Sequence, residues 1–337
     1  MSKSLVCLIP ILSAVLGSCT SDHFPETASG DSNGRPHVLV VLNKADGTAS
    51  FLEGGTLRIL GGAPAGEDPH EAVASPDGRL VYVANYGGGK DGRTVTVLDP
   101  ARCAREAVID LGEHRGPHGL ALTRDGKTLW VTCEGSGALV AVDTASRKVV
   151  RAIPTGDKGS HMVVLTHDER RAFTANMHSD TVSVIDLRKG VLERLVTCEK
   201  GPEGIDLAPD GRSLWVGNRA AASVSIVDVK SLAVVGRIAV GEIPIRVRAW
   251  PDGGRILVSH YKSEDLRIYD AATRAEIRKM PIGGVPIGIL PVPGTRSLAY
   301  VARSRAGTVA VVDLDTGETV REAPTGREPD GMTVANR

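Results

Sequence analysis

Aromatic side chains are scarce in this chain, at 3% of the residues, and net charge is absent. With so few rings, a core has to be built from Val, Leu, Ile and Ala, which the 42% hydrophobic content supplies amply. Forty Lys and Arg balance forty Asp and Glu. That balance removes the basic footprint of a nucleic-acid binder or of a protein held to anionic lipid by charge alone. Cysteine is scarce as well, at five residues, and no Cys-x-x-Cys occurs. Cys7 and Cys19 lie in the leader, which leaves Cys103, Cys133 and Cys198, an odd number at wide spacing. Neither a disulfide framework nor a structural zinc site follows from that pattern, and the three read as buried or lone thiols on strands. No nucleophile elbow, phosphate loop, haem-attaching Cys-x-x-Cys-His or paired metalloprotease histidines are present.

One mostly apolar stretch, residues 5–16, follows Met1-Ser2-Lys3. It is too short for the roughly 20 residues that span a hydrocarbon core, but it suits a secretory signal. Its end, Leu16-Gly17-Ser18-Cys19, resembles the bacterial lipobox, which implies lipidation of Cys19; the plain alternative is an ordinary signal peptide ending near a cysteine. Residues 20–36 are polar, rich in Ser, Gly, Asp and Pro, and without periodicity. They read as a flexible tether with a span of roughly 20–25 Å. The expected organisation is therefore a signal at 1–19, a tether at 20–36 and a folded head at 37–337.

Self-similarity dominates the head. A short anchor recurs as Pro69-His70-Glu71, Pro117-His118-Gly119, Ser160-His161-Met162, Pro202-Glu203-Gly204, Pro244-Ile245-Arg246, Pro286-Ile287-Gly288 and Pro329-Asp330-Gly331, at intervals of 48, 43, 42, 42, 42 and 43 residues. After each of the first six comes an alternating run and a turn, such as Pro76-Asp77-Gly78 or Pro209-Asp210-Gly211. A hydrophobic run follows, such as Tyr82-Val83-Ala84-Asn85 or Trp215-Val216-Gly217-Asn218. A third run ends at Asp99, Asp143, Asp186, Asp228, Asp270 or Asp313, and a fourth closes the unit. Four short strands per unit of about 42 residues make a propeller blade. The apolar runs alternate or are too short for helices.

These residues resemble the YVTN family of β-propeller repeat proteins over residues 37–337, a likeness that speaks for the fold and not for an activity. The ends complete a seventh unit. Residues 38–43 match a second strand, 48–52 a third and 57–61 a fourth, while Asp330 to Ala335 supply the missing first strand. The expected fold is all-β: a seven-bladed β-propeller with four antiparallel strands per blade, its ring closed by the C-terminal strand joining the N-terminal blade. The repeated aspartates are expected to bond turn amides and not to form a catalytic carboxylate cluster.

What departs from the repeat is free for function. The anchor's middle position reads His70, His118, His161, Glu203, Ile245, Ile287, Asp330 around the ring. His178, His260, Tyr86, Arg219, Arg246, Tyr261 and Arg303 are expected on the same face. Asparagine ends the second strand at Asn43, Asn85, Asn176 and Asn218, and Cys133, His260 and Arg303 break that rule. His70, His118, His161 and Glu203 converging at the channel mouth suit a divalent transition metal or acid–base work near neutrality; equally, they line a watery funnel. Two functional classes follow. One is an exported, lipid-anchored scaffold presenting its funnel face to a small molecule or an envelope protein, with membrane contact through the lipid only. The other is a propeller enzyme of lactonase, lyase or hydrolase type, metal-assisted, or an accessory protein for a redox cofactor, working through the mouth histidines.

Overall fold

The computed structural model describes residues 37–336. The signal, Cys19 and the tether lie outside the described residues. Among the described residues, 28 strands, β1 to β28 in chain order, form seven four-stranded antiparallel sheets. Blade 1 has the order β28 (Pro329–Asn336), β1 (His37–Asn43), β2 (Thr48–Glu53), β3 (Ile59–Pro64), and each later blade takes four consecutive strands. β28 (Pro329–Asn336) pairs antiparallel with β1 (His37–Asn43), Val38 opposite Ala335 and Val40 opposite Thr333. The expected closure is therefore present, and the innermost strand of the first blade comes from the far end of the chain. Among the described residues every blade thus has its full four strands, and β1 is not left as an open edge for another chain to pair with.

Blade 5 shows why these residues form strands and turns. β17 (Ser213–Asn218) and β18 (Ser223–Asp228) are rich in β-branched and aromatic side chains and pair in unbroken register. Gly211 turns the chain at φ +70, and the Asp210 carboxylate accepts the Arg212 amide proton. Asp228 accepts both the amide and the hydroxyl of Ser231, and Leu232 adopts φ +59 before the fourth strand starts. Asp99, Asp143, Asp186, Asp270 and Asp313 accept turn amides in the same way. These carboxylates are local turn fasteners on the face away from the mouth. The fourth strand of blade 1 is β3 (Ile59–Pro64), two residues later than expected. Leu57 supplies the left-handed turn residue there, at φ +57, so the strand cannot start at residue 57.

The core is distributed. Seven clusters of buried side chains occupy the seven interfaces between neighbouring blades. Leu39, Val41 and Leu52 of blade 1, for example, pack on Tyr300, Val309 and Val311 of blade 7. Aliphatic residues do most of this packing, as the aromatic shortage requires. Each fully buried Val or Leu contributes about 1.5–3 kcal/mol of apolar transfer energy. The sheets thus hold one another radially and leave the axis free for polar side chains.

Candidate functional site

A repeated irregularity aims the anchor residues at the axis. In β4 (Pro69–Ala74), Pro69 pairs with Asn85 and the next pair is Ala72 with Val83. The same skip occurs in β8 (Pro117–Leu122), β12 (Ser160–Leu165) and β16 (Pro202–Leu207). A bulge of this kind kinks the strand and redirects side chains that a regular ladder would place on its two faces. The middle residue of each anchor is released at the upper end of the channel. There His70, His118, His161, Glu203 and Asp330 line one cavity of about 170 Å³, together with Lys44, Arg219, Arg246 and Tyr261. That volume has room for on the order of ten waters.

Four rings stand side by side along one wall. His118 and His161 stack, with centroids 3.6 Å apart at 30°. His70 lies 4.7 Å from His118, and Tyr86 packs against both His70 and His118. His118 is 3% exposed, and its Nδ1 has no hydrogen-bond partner among the described residues. Burial, reinforced by the neighbouring His161 and His70, holds the His118 pKa well below the usual histidine range. It is a neutral imidazole whose buried Nδ1 is left unpaired, at a depth where an unpaired polar atom costs about 1–3 kcal/mol. His70 Nδ1 lies 2.9 Å from the Asp68 carbonyl oxygen, which accepts its proton.

The centre of the polar network is Glu134, whose side chain is fully buried. Its Oε2 accepts the Tyr86 hydroxyl at 3.0 Å and faces His161 Nδ1 at 3.4 Å, while its Oε1 lies 3.3 Å from His178 Nε2. On the other side of the His161 ring, Nε2 is 3.8 Å from Glu203 Oε1. Burial raises the Glu203 pKa against the opposing pull of His161, Arg219 and Arg246. Arg219 reaches Glu203 Oε2 at 3.3 Å. Burial and the Glu134 carboxylate push the Tyr86 phenol upward, so it stays protonated and donates. Arg246, 6% exposed, donates to Glu71 and lies 3.7 Å from Asp330. Burial works against that guanidinium charge, but Glu71 and Asp330 outweigh it and raise the pKa.

Three residues here escaped the reading of the anchors: Lys44, Glu71 and Glu134. Lys44 and Glu134 occupy the position just after the second strand, where the other blades carry Tyr86, Met177, Arg219, Tyr261 and Ser304. That ring position is a second register of the same mouth, and it is visible in the aligned repeats. Glu71 stands one residue beyond the anchor's middle position.

Four expected site residues do not line the cavity: Tyr86, which packs on the rings of its wall, and His260, Arg303 and His178. His260 is fully buried: its Nδ1 lies 2.8 Å from Asp265 Oδ1 and its Nε2 accepts the Gly241 amide at 3.1 Å. Arg303 turns away to Glu322 at 2.7 Å and the Gly283 carbonyl at 3.3 Å. His178 lies behind Glu134 with its side chain 48% exposed. His260 and Arg303 stand at a position that in four other blades holds an asparagine clip inside the blade. Asn85 Nδ2 donates to Thr94 and Thr96, and Asn43, Asn176 and Asn218 do the same to hydroxyls at the first and third positions of the next strand. In blade 6, His260 with Asp265 and Arg267 replaces that set, and in blade 3 Cys133 faces Ala138 and Val140. In blade 6 the departure from asparagine exchanges one internal fastening for another, and in blade 3 it exchanges the fastening for apolar packing.

The four residues suited to a metal are brought together, but not as ligands of one ion. Stacked imidazoles direct their in-plane lone pairs side by side instead of toward a shared point. Among the described residues, no group of three His, Cys, Asp or Glu is placed to hold a metal ion.

The fold and the mouth define a seven-bladed propeller carrying a buried imidazole–carboxylate network at one end of its axis. Residues 44–280 match the family described as lactonase, 7-bladed beta-propeller, and the chain belongs to that family. No curated protein matches the chain. Among solved structures it is similar to hydrazine synthase of Kuenenia stuttgartiensis, with a TM-score of 0.69 and 20% identity over 80% of this chain and 95% of that one. A functionally unknown protein from Desulfotomaculum acetoxidans DSM 771 gives 0.75 and 15%, over 89% and 99%. The dihydro-heme d1 dehydrogenase NirN in complex with DHE gives 0.67 and 19%, over 88% and 74%. At these identities the likenesses speak for the fold alone.

Proposed function

We propose that the channel mouth binds a small lactone and hydrolyses it, with His161 as the general base. The observation that carries this reading is the His161 ring set between two carboxylates in the wall of a small polar cavity. Glu134 at Nδ1 holds the imidazole in the tautomer whose Nε2 is free to take a proton, and it stabilises the charged ring once the proton has arrived. Nε2 then removes a proton from a water as its oxygen attacks the lactone carbonyl carbon. The oxyanion that forms meets positive charge from Arg219 and Lys44, both of which line the cavity. The ring C–O bond breaks as the imidazolium returns the proton to the departing alkoxide, and a hydroxy acid is released. Membership of the lactonase propeller family supports the same reading.

The reading extends to placement. We further propose that the head is of the YVTN repeat type, exported behind a signal at 1–19 and held at the cell envelope by lipid on Cys19 through the tether at 20–36, facing small molecules of that compartment.

A panel of five- and six-membered lactones, followed by acid release at constant pH, tests the proposal. Wild-type protein is expected to turn over at least one of them, and His161→Gln to lose on the order of 10³-fold in kcat. Wild-type turnover of none, or an H161Q variant at the wild-type rate, overturns it.

A further inference from the structure

Below the mouth the channel continues into a second cavity of about 390 Å³. Its wall includes Val73, Leu122, Val164 and Leu290, with Asp206 and Arg248 among them. The two cavities share only three lining residues: Glu71, Met162 and Arg246. All three hold the last position of the anchor, in blades 2, 4 and 6. In the other four blades that position is glycine, at Gly119, Gly204, Gly288 and Gly331.

Those glycines answer to close approach. A Cβ on Gly119 would lie 2.7 Å from the His161 carbonyl oxygen, and one on Gly331 would lie 2.1 Å from that of His70. At four junctions the next inner strand therefore excludes a side chain. At the three alternate blades a side chain is present, and it enters the channel. The three meet across the axis: Arg246 donates to Glu71, and its Nη1 lies 3.5 Å from Met162 Sδ. Asp330 holds the guanidinium from a fourth direction at 3.7 Å. Side chains from non-adjacent blades thus close a channel that the backbone ring leaves open.

We propose that Glu71, Met162 and Arg246 form a partition across the channel, and that this partition sets the largest ligand the mouth admits. The inference deepens the lactone reading and rests on it for the substrate class, which it narrows to compact lactones without a long substituent. A linear side chain that points down the axis can be placed only in the lower chamber, and the partition bars the way.

The test uses E71A/R246A, and Met162→Ala as a second variant that keeps the ion pair. The first readout is the ratio of kcat/KM for a compact lactone to that for the same ring carrying a six-carbon chain. A ratio is indifferent to any common loss of activity. It is expected to fall at least tenfold in E71A/R246A and by a smaller factor in M162A; an unchanged ratio in both overturns the proposal. The second readout needs no turnover: crystals soaked in 1,6-hexanediol. The diol is expected to cross the waist in the variant and to stop above it in the wild type, and the same course in both overturns the proposal. If the wild type hydrolyses no lactone, the hydrolytic reading falls while the diol still decides the partition. If E71A/R246A does not fold, M162A is read by both assays against the same criteria.

Discussion

Arg246→Met is the perturbation whose size follows most directly from the structure. The guanidinium is 7% exposed in its side chain, and its partners Glu71 and Asp330 are 13% and 8% exposed. Removing it leaves two carboxylates facing a thioether in a site that water scarcely reaches. Breaking a buried pair from one side costs about 3–5 kcal/mol, because the remaining charge keeps its desolvation penalty and loses its compensation. Lys44 lies 3.8 Å from Asp330 and relieves part of that loss, so the lower end, about 3 kcal/mol, is expected. With an unfolding entropy of about 2.1 cal/mol/K per residue over the 300 described residues, that amounts to about 5 °C in Tm. Glu71→Met in the same background removes one stranded carboxylate. E71M/R246M is therefore expected to regain at least half of the loss, since replacing both members of a buried pair by apolar groups is often neutral. Thermal melts by circular dichroism or calorimetry on the four proteins of this cycle give the coupling. A single variant within a degree of wild type, or a double variant worse than the sum of the singles, would refute the reasoning that Arg246 is neutralised across the axis by Glu71.

Burial holds the His260 pKa at about 4, below the usual 6.5, against the pull of Asp265. Between those values the unfolded chain binds a proton that the folded one refuses, so stability is complete above pH 6.5 and declines as pH falls toward 4, by of order 3 kcal/mol; urea midpoints against pH should decline less steeply for His260→Asn, and parallel curves would contradict the assignment. Asn85→Ala deletes two clip hydrogen bonds to Thr94 and Thr96 and strands a buried hydroxyl, at a cost of about 2–3 kcal/mol. The triple variant N85C/T94A/T96V, which copies the residues of blade 3, should recover most of that loss in the same denaturation assay; no recovery would count against the clip. Deleting residues 329–336 removes β28 from the first sheet, so the shortened chain is expected to unfold or associate, as read by light scattering and far-UV circular dichroism, and an unchanged monomeric melt would contradict the closure.

The fold was open to reading because each blade repeats the same solution. Pro-Asp-Gly turns, strand-ending aspartates and a lone C-terminal strand leave one way to close the ring. The start of β3 was misplaced because a left-handed Leu57 has no residue-type signature, unlike glycine. The mouth was half legible. Comparing blades at the anchor's middle position isolates His70, His118, His161 and Glu203, which the structure does bring to one cavity. Glu134 and Lys44 are harder to pick out because their ring position carries a different residue type in almost every blade. His260 and Arg303 depart from asparagine for a reason internal to their own blades. Their departure from asparagine is matched five and seven residues later, by Asp265 and Arg267 in one blade and by Thr308 and Ala310 in the other, and it belongs to the blade's own fastening. The stacking of His118 on His161, and with it the mismatch to a metal, depends on ring orientation, which no spacing in the chain encodes.

The central claim is that Glu134 and His161 act as one unit on a lactone at the channel mouth. A kinetic double-mutant cycle on the lactone that the wild type hydrolyses fastest tests this most directly. His161→Gln is expected to lose on the order of 10³-fold in kcat, and Glu134→Gln on the order of 10²-fold. Because the carboxylate works only through the ring, E134Q/H161Q should be no slower than H161Q alone within about threefold. Losses that multiply in the double variant, or a wild-type protein with no turnover to lose, would contradict the account.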